Sequence, residues 1–587
     1  MSHLPWYEND SYEDAELGVL LGRLGIGIFN ANQKGVWNKD KSMVAFLSGE
    51  LYSKPDQNLK RYSDEEWALI SYEKYGADFA KHLKGIFIIA ILDRSQKKVI
   101  ITNDRHGLYP TYYSSWGNFF SFAPEMKGVF SSADLPKTLD KVALAQYMRL
   151  QHLLGNRTFF ENIQLLPNAS YLIYDLQSHH FTIHPYWTFN DIKFQPEVKF
   201  NDAVEETGRL LRKSVTQLSN DRLRPGVFLS GGMDSRTILG LISRRPIISF
   251  NWGNKNCPDV RYSRMIAKTV GSEHHWFDLE KGDWVLNYID LHLALTEGFH
   301  SWIHSHGISV LPVARNLIDV VLTGWDGGTV MGHMDNIDLM QINAVDWIAL
   351  SSYLFNMFVR KYTWPSITEA EEKYLYHDSI AKEMQGLAFQ SFVEELAPYE
   401  NYRKDIRSEL FYIMNHCRRM TIHMITTARS HIDVRVPFFD YDLFDFLFSI
   451  PAQVRGHQVL YRAVIQQEIP RLGLIPYDHD GLLPISNPYI RKPHAFFVKT
   501  IRRLNKQINP HFSQNLLYAD YENYLRKELR AWGESILFGP HIKEHGIFNP
   551  KFIQSIWERH QSGLELWTIG KIAPIMTYEM MQDAFLH

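Results

Sequence analysis

The chain has 587 residues, 62 Lys+Arg against 65 Asp+Glu, a formal net charge of −3 and two cysteines. At about 100–200 residues per domain that length holds roughly two to four domains, and 45% hydrophobic with 14% aromatic residues excludes wholesale disorder. The near-neutral balance excludes a dedicated nucleic-acid or membrane-surface binder, and two cysteines exclude a disulfide framework or a Cys-rich metal site and point to a reducing compartment.

The opening stretch, Met1 to Glu16, is acidic and has no apolar core of signal-peptide length. No run of ~18 apolar residues follows, so a cytoplasmic protein without a membrane partner is expected. Residues 1–190 read as β-rich, with short apolar runs at Val19–Leu24, Val44–Leu47, Gly85–Leu92, Val99–Thr102, Thr111–Ser115, Phe119–Ala123 and Ser170–Tyr174. One helix pattern interrupts them from Asp64 to Tyr75, with Ser63 placed to cap it. Such a run of strands predicts stacked antiparallel sheets. The polar stretch Phe189–Glu197 reads as a linker. Beyond it, helices at Asp202–Leu218, Arg236–Ser243 and Tyr262–Val270 alternate with buried strands at Gly226–Leu229, Ile247–Phe250 and Asp319–Leu322. That alternation predicts a doubly wound parallel sheet. Past about residue 340 the chain reads as mainly helical, with no internal repeat.

The segment Gly226 to Arg236 carries the strongest chemistry. It reads as a buried strand, a Ser230-Gly231-Gly232 turn and a helix start. Glycines let the backbone approach an anion closely. The hydroxyls of Ser230 and Ser235, the following amides and the helix dipole all favour phosphate. A carboxylate at Asp234 repels bare phosphate, and makes sense there if it helps hold Mg²⁺. The loop lacks the lysine of the G-x-x-x-x-G-K-[ST] motif. A plain strand–turn–helix connection capped by its serines is the alternative reading.

Ser-Gly-Gly-x-Asp-Ser after a strand resembles the pyrophosphate loop of ATP pyrophosphatases, and other stretches resemble one family of these, the asparagine synthetases. Arg23-Leu24-Gly25-Ile26 is similar to the family's R-L-S-I, Ser48-Gly49-Glu50-Leu51-Tyr52 to its N-G-E-I-Y, and Ser63-Asp64-Glu65-Glu66 to its helix start. Leu83 to Phe87, Asp104-Arg105-His106-Gly107 and Tyr112-Tyr113 follow its hairpin region, and Val434 to Asp440 resembles R-V-P-F-L-D. The resemblance covers roughly 17–485. It implies a class II glutaminase-like domain of Ntn-hydrolase type at 1–190, an ATP-pyrophosphatase-type synthetase domain at 200–485 and a helical extension at 486–587. The implied substrates and cofactors are ATP, Mg²⁺ and a small-molecule or peptide carboxylate. A homodimer is implied only by resemblance.

Departures from the family pattern shape the functional expectation. The glutaminase needs an N-terminal cysteine, whereas this sequence begins Met1-Ser2-His3 and its cysteines are Cys257 and Cys417. Ser48 stands where the family has its oxyanion-hole Asn. Arg23 and Asp64 match glutamine-holding positions, and read either as a relic glutamine pocket or as structural salt bridging. No glutaminase activity is expected, unless the true start lies upstream and supplies a cysteine. In the synthetase half, the S-G-x-G-x-D-E turn is matched by Thr323-Gly324-Trp325-Asp326-Gly327-Gly328-Thr329. Gly328 occupies the magnesium-binding position and Trp325 the catalytic acidic one. Asp326 either takes over the metal role beside Asp234 or caps the turn. His479 stands where the family has its catalytic lysine, and is either a conditional cation or a surface histidine.

The resemblance therefore implies that Ser230, Gly231, Gly232, Asp234, Ser235, Thr323 and Gly324 hold the nucleotide, that Phe250 and its neighbours line the adenine side through backbone groups, and that Asp234 and Asp326 hold Mg²⁺. Asp326 and His479 are the catalytic candidates. The expected reaction is adenylation of a carboxylate with release of pyrophosphate, then coupling to ammonia or an amine. Lasso-peptide cyclases and β-lactam synthetases lack the glutaminase cysteine too, so intramolecular closure of a precursor peptide fits by analogy. The alternatives are a nucleotide-binding pseudoenzyme, and an ordinary glutamine-hydrolysing asparagine synthetase. Loops 296–310 and 323–340, rich in aromatic and His residues, are the expected substrate pocket. The basic stretches Ile490–Pro493 and Lys499–Arg503 read as a solvated helix face or a site for an acidic partner.

Overall fold

In the computed structural model the described residues run from 4 to 586, apart from 30–34, 53–61, 131–134, 333–346, 486–492, 495, 498–499 and 501–516. The basic stretches 490–492 and 499–503 thus lie outside the described residues, Thr500 excepted, as do 333–340 of the expected pocket loop. The chain divides into two compact units, one of residues up to Leu144 with Leu153–Ile192, the other of Ala145–His152 with Lys193 onward. No helix among the described residues is long and apolar enough to cross a membrane.

The first unit is built from antiparallel strands. Strands β1 (Glu8–Asp14) and β2 (Val19–Gly25) pair as a ribbon. A six-stranded sheet contains β3 (Val36–Trp37), β4 (Met43–Leu51), β5 (Gly85–Asp93), β6 (Lys98–Asn103), β10 (Ser170–Asp175) and β11 (Phe181–Pro185), ordered β11-β10-β6-β5-β4-β3. A third sheet joins β7 (Tyr112–Trp116), β8 (Phe119–Ala123) and β9 (Gln164–Leu165). Alternation along the strands gives the large sheet two apolar faces. Val44, Phe46, Ile88, Ala90 and Leu92 pack with Val19, Leu21 and Tyr113 of the smaller sheets. Ala45, Leu47, Phe87, Ile89 and Ile91 pack against Trp67, Leu69 and Tyr72 of helix α1 (Asp64–Tyr75). The sequence Ser63-Asp-Glu-Glu66 starts α1 as a capping box: Glu66 N–H donates to Ser63 Oγ at 3.1 Å and Ser63 N–H to Glu66 Oε2 at 2.6 Å.

The second unit holds a five-stranded parallel sheet: β12 (Pro225–Phe228), β13 (Ile248–Trp252), β14 (Glu273–Phe277), β15 (Val320–Leu322) and β16 (Asp433–Arg435), ordered β14-β13-β12-β15-β16. Helix α2 (Phe200–Ser219) precedes β12, α3 (Met233–Leu241) connects it to β13, and α4 (Pro258–Val270) connects β13 to β14. The fold class is as expected: stacked antiparallel sheets first, a doubly wound parallel sheet second. Strand order reverses beside β12, whose neighbours are β13 and β15. In open parallel sheets, ligands bind outside the carboxyl ends of the strands at such a switch point.

Candidate nucleotide site

The loop after β12 is tied together by its own hydroxyls. Ser230 N–H donates to Ser235 Oγ at 2.9 Å, the two hydroxyls lie 3.0 Å apart, and Gly232 N–H donates to Ser230 Oγ at 3.1 Å. Gly231 is a close-approach glycine: a Cβ there would stand 2.9 Å from Asp478 Cβ and 3.1 Å from Asp259 Cα. Its N–H donates to Asp259 Oδ1 at 2.8 Å, and its carbonyl accepts from Asp478 N–H at 3.3 Å. Arg236, fully buried on α3, donates to five carbonyls: Gly231 (2.7 Å), Gly232 (2.8 Å), Leu472 (3.1 Å), Ile475 (2.6 Å) and Pro476 (2.8 Å). Because a trans peptide points its C=O and the next N–H in opposite directions, holding the Gly232 carbonyl turns the Met233 N–H away from Arg236. Burial lowers Arg236 to about 10, so it stays charged at neutral pH.

Asp234 sits in the first turn of α3. Burial raises its carboxyl to about 6, while hydrogen bonds from Gly328 N–H and Tyr461 OH oppose that shift and the nearby Asp326 adds to it. Its Oδ1 is buried and has no hydrogen-bond partner among the described residues. Asp326 lies in the turn after β15 at φ +45°, and its raised pKa also comes chiefly from burial. Hydroxyls of Thr421 and Thr329 and the thiol of Cys417 hydrogen-bond to it. Thr421 closes the π-helical segment Ile413–Thr421, a local irregularity common at functional sites. The turn itself is dense. A Cβ on Gly324 would stand 2.7 Å from both Asp234 Cβ and Ser235 N, whereas one on Gly328 would meet Asp234 Oδ2 only at 3.4 Å. The unpartnered oxygen of Asp234 next to a second carboxylate is a donor set that suits a hard divalent cation such as Mg²⁺.

These groups share one cavity of about 500 Å³. Of the expected site residues, Ser230, Asp234, Ser235, Thr323, Gly324 and Asp326 line it, together with Trp325. Gly231 and Gly232 belong to the loop but are not among the lining. Phe250 packs on Phe228 and stacks on His275, and its carbonyl accepts the Leu229 N–H at 2.8 Å; Asn251 and Trp252 face the cavity in its place. His479 is exposed and stacks on Tyr477, and its neighbour Asp478 lines the cavity. From the loop 296–310, His304 and His306 line the wall, whereas Phe299, His300 and Trp302 are buried. His300 and His304 stack at 4.5 Å, and burial keeps His292, His300, His304, His306 and His423 well below the ordinary histidine range.

Asp259, Asp478 and Thr421 were not expected from the sequence. Asp259 carried a signal, since it stands one residue past the Pro258 that opens a helix directly after a parallel strand. Asn251 donates from Nδ2 to the Leu229 carbonyl at 2.8 Å and to Asp259 Oδ2 at 2.9 Å, so it locks Asp259 against the strand end.

In the first unit, Arg23 Nη2 meets Asp10 Oδ2 at 2.7 Å, and its Nη1 meets Glu65 Oε1 at 2.8 Å and the Leu47 carbonyl at 3.2 Å. Asp64 accepts the Leu51 N–H at 2.7 Å. Cys257 and Cys417 are both buried in the second unit, where burial pushes the Cys257 thiol to about 11 and raises the Cys417 thiol well above the ordinary range, so both stay protonated.

Residues 15–187 match a family model described as a glutamine amidotransferase domain, and residues 206–470 match one described as asparagine synthase. The chain is 24% identical to asparagine synthetase (glutamine-hydrolyzing) 2 of Bacillus subtilis (strain 168) over 84% of this chain and 69% of that protein. It is 23% identical to asparagine synthetase (glutamine-hydrolyzing) 3 of the same organism over 80% and 79%. A putatively assigned asparagine synthetase 2 of Methanocaldococcus jannaschii is 25% identical over 55% of this chain and 68% of that protein. With these two domains matched in this order, the protein belongs to the asparagine synthetase-like family.

Proposed function

We propose that this chain is an ATP-dependent carbon–nitrogen ligase that adenylates a carboxylate, releases pyrophosphate and couples the acyl group to ammonia or an amine, including one carried on the same peptide. The single observation that carries this reading is the cavity at the switch point, which gathers the Ser230–Ser235 loop, the unpartnered Asp234 oxygen and Asp326. Ser230, Ser235 and the first amides of α3 would bind the β- and γ-phosphates, with Gly231 and Gly232 admitting their close approach. Thr323 and Gly324 border the same space from the neighbouring strand. Asp234, with Asp326, would hold Mg²⁺, which when bound neutralises phosphate charge. Ile308, Leu311 and Ile425 give the cavity an apolar wall that would help keep water from a reacting carbonyl. The 1–190, 200–485 and 486–587 division and a cytoplasmic location are part of this reading.

The first unit supplies no ammonia in this scheme. Arg23 is paired with both Asp10 and Glu65 rather than held open for a glutamine carboxylate, and both cysteines of the sequence lie in the other unit. A nucleotide-binding scaffold without turnover is the second reading, and Trp325 in the cavity wall with Gly328 beside Asp234 favours it. The two separate in a pyrophosphate assay with ATP, Mg²⁺, ammonium and a panel that includes aspartate and peptide carboxylates. The ligase reading expects pyrophosphate release that glutamine cannot sustain in place of ammonium and that Asp234→Asn abolishes. Silence with every carboxylate, or full turnover in Asp234→Asn, sinks it.

A further inference from the structure

Gly231 is clasped between two aspartates that come from distant parts of the chain. Asp259, in the first turn of α4, accepts the Gly231 N–H at 2.8 Å, and the Asp478 N–H donates to the Gly231 carbonyl at 3.3 Å. Their side chains hydrogen-bond to one another. Both oxygens of Asp259 also accept N–H donors, from Gly231 and from Asn251 at 2.9 Å. The pair lines the same cavity as the loop it holds. Two half-buried carboxylates in hydrogen-bond contact resist a second negative charge, so the pair holds one proton between its oxygens to higher pH than a lone carboxylate does.

We infer that Asp259 and Asp478 form a positioning dyad for the Ser230–Ser235 loop, and that a polyphosphate bound to that loop retains the dyad's shared proton. Nucleotide binding is then coupled to proton uptake. The inference rests on the nucleotide reading of the loop. Its physics is Coulombic: a polyphosphate beside the loop raises the cost of a second negative charge on the pair. Burial, then the charge of Asp478, raises Asp259, and burial raises Asp478 in turn. The free pair therefore gives up its proton well above the ordinary carboxylate range, and the occupied site keeps it to higher pH still. Affinity is full at low pH and falls as pH rises through the free-protein value.

The charged and titratable groups facing the pair are Arg236 from α3, Cys257 at the head of α4, Tyr477 beside Asp478, and Tyr518. Arg236 stays charged, while burial raises Cys257 and both tyrosines well above neutral pH. Asp234, raised to about 6, shares the cavity, and the exposed His479 adjoins Asp478. Asp234 is common to the wild type and Asp478→Asn, and a His479→Asn control removes the histidine's own titration.

The test is calorimetric binding of the β,γ-imido analogue of ATP with Mg²⁺, in two buffers of different ionisation heat. Asp478→Asn keeps both N–H donors on Asp259 and replaces the shared proton with a permanent amide donor. The wild type is expected to take up more protons on binding than this variant, and to lose affinity severalfold with rising pH where the variant stays nearly flat. Asp259→Asn should abolish the same difference if Asp478→Asn fails to fold. Equal proton uptake in wild type and both variants overturns the dyad alone. No binding by the wild type at any pH strikes the nucleotide reading, and the dyad with it.

Discussion

Two glycines in one turn should respond oppositely to alanine. At Gly324 the new methyl would stand 2.7 Å from Asp234 Cβ, 2.7 Å from Ser235 N and 2.8 Å from the Asp234 carbonyl carbon. All three belong to the start of α3, whose position Arg236 fixes through its carbonyl bonds. Relief therefore requires moving the phosphate loop itself. Overpacking of this kind costs about 1–3 kcal/mol. If that cost is borne by the bound loop, nucleotide affinity falls by roughly 10- to 100-fold, at about 1.4 kcal/mol per tenfold. At Gly328 the methyl meets Asp234 Oδ2 at 3.4 Å and Gln458 Nε2 at 3.6 Å, which is ordinary contact. Gly328 is not among the residues of positive φ, so its alanine variant should be neutral, or more stable by about 0.4–1 kcal/mol through a less free unfolded chain. Calorimetric binding of the imido analogue, with urea unfolding of each variant, reads both effects. A Gly324→Ala protein with wild-type affinity and stability would refute the close packing of the turn on α3 as the device that sets the loop.

Two further predictions concern stability. Arg455 and Glu409 form a fully buried bidentate pair at 2.9 and 2.7 Å, and Arg455 also donates to the Val330 carbonyl at 3.0 Å, which anchors the end of the cavity turn. Glu409→Gln leaves a buried guanidinium uncompensated and should cost about 3–5 kcal/mol in urea unfolding; a loss below about 1 kcal/mol would contradict this. The buried histidines make the protein acid-sensitive. Burial holds His292, His306 and His416 near pH 4 and His423 near 3, so the unfolded chain binds their protons first as pH drops below its ordinary 6.5. Each then contributes a slope of up to about 1.4 kcal/mol per pH unit, with stability rising with pH. The carboxylates raised by burial, Asp10, Asp234, Asp259, Asp326, Glu372, Asp478 and Glu579, act with the opposite sign but are fewer than the histidines that burial lowers. Unfolding midpoints should fall between pH 6.5 and 4.5, and a flat profile would show that the histidines are not buried neutral.

The legible parts of the chain are those where local sequence and tertiary demand agree. Ser63 to Glu66 specify a capping box within four residues, and Gly226 to Ser235 specify a buried strand, a glycine turn and a helix start in one run. Strand β1 was hidden, because Glu8–Asp14 has no apolar alternation; the backbone ladder to β2 and the Arg23–Asp10 ion pair hold it in the sheet. The position of the turn 323–329 was readable, but its geometry was not. Asp326 is aimed by its positive φ and by Thr421 and Cys417, which lie far along the chain. The clasp on Gly231 was invisible for the same reason, since Asp259 and Asp478 meet only once the parallel sheet has formed.

The most direct test of the ligase account follows one oxygen atom. A carboxylate substrate found in the pyrophosphate panel is labelled with ¹⁸O and incubated with ATP, Mg²⁺ and ammonium or its amine. Adenylation at the Ser230–Ser235 site transfers one labelled oxygen to AMP as the amide forms. Label recovered in inorganic phosphate, with ADP as the nucleotide product, would contradict it.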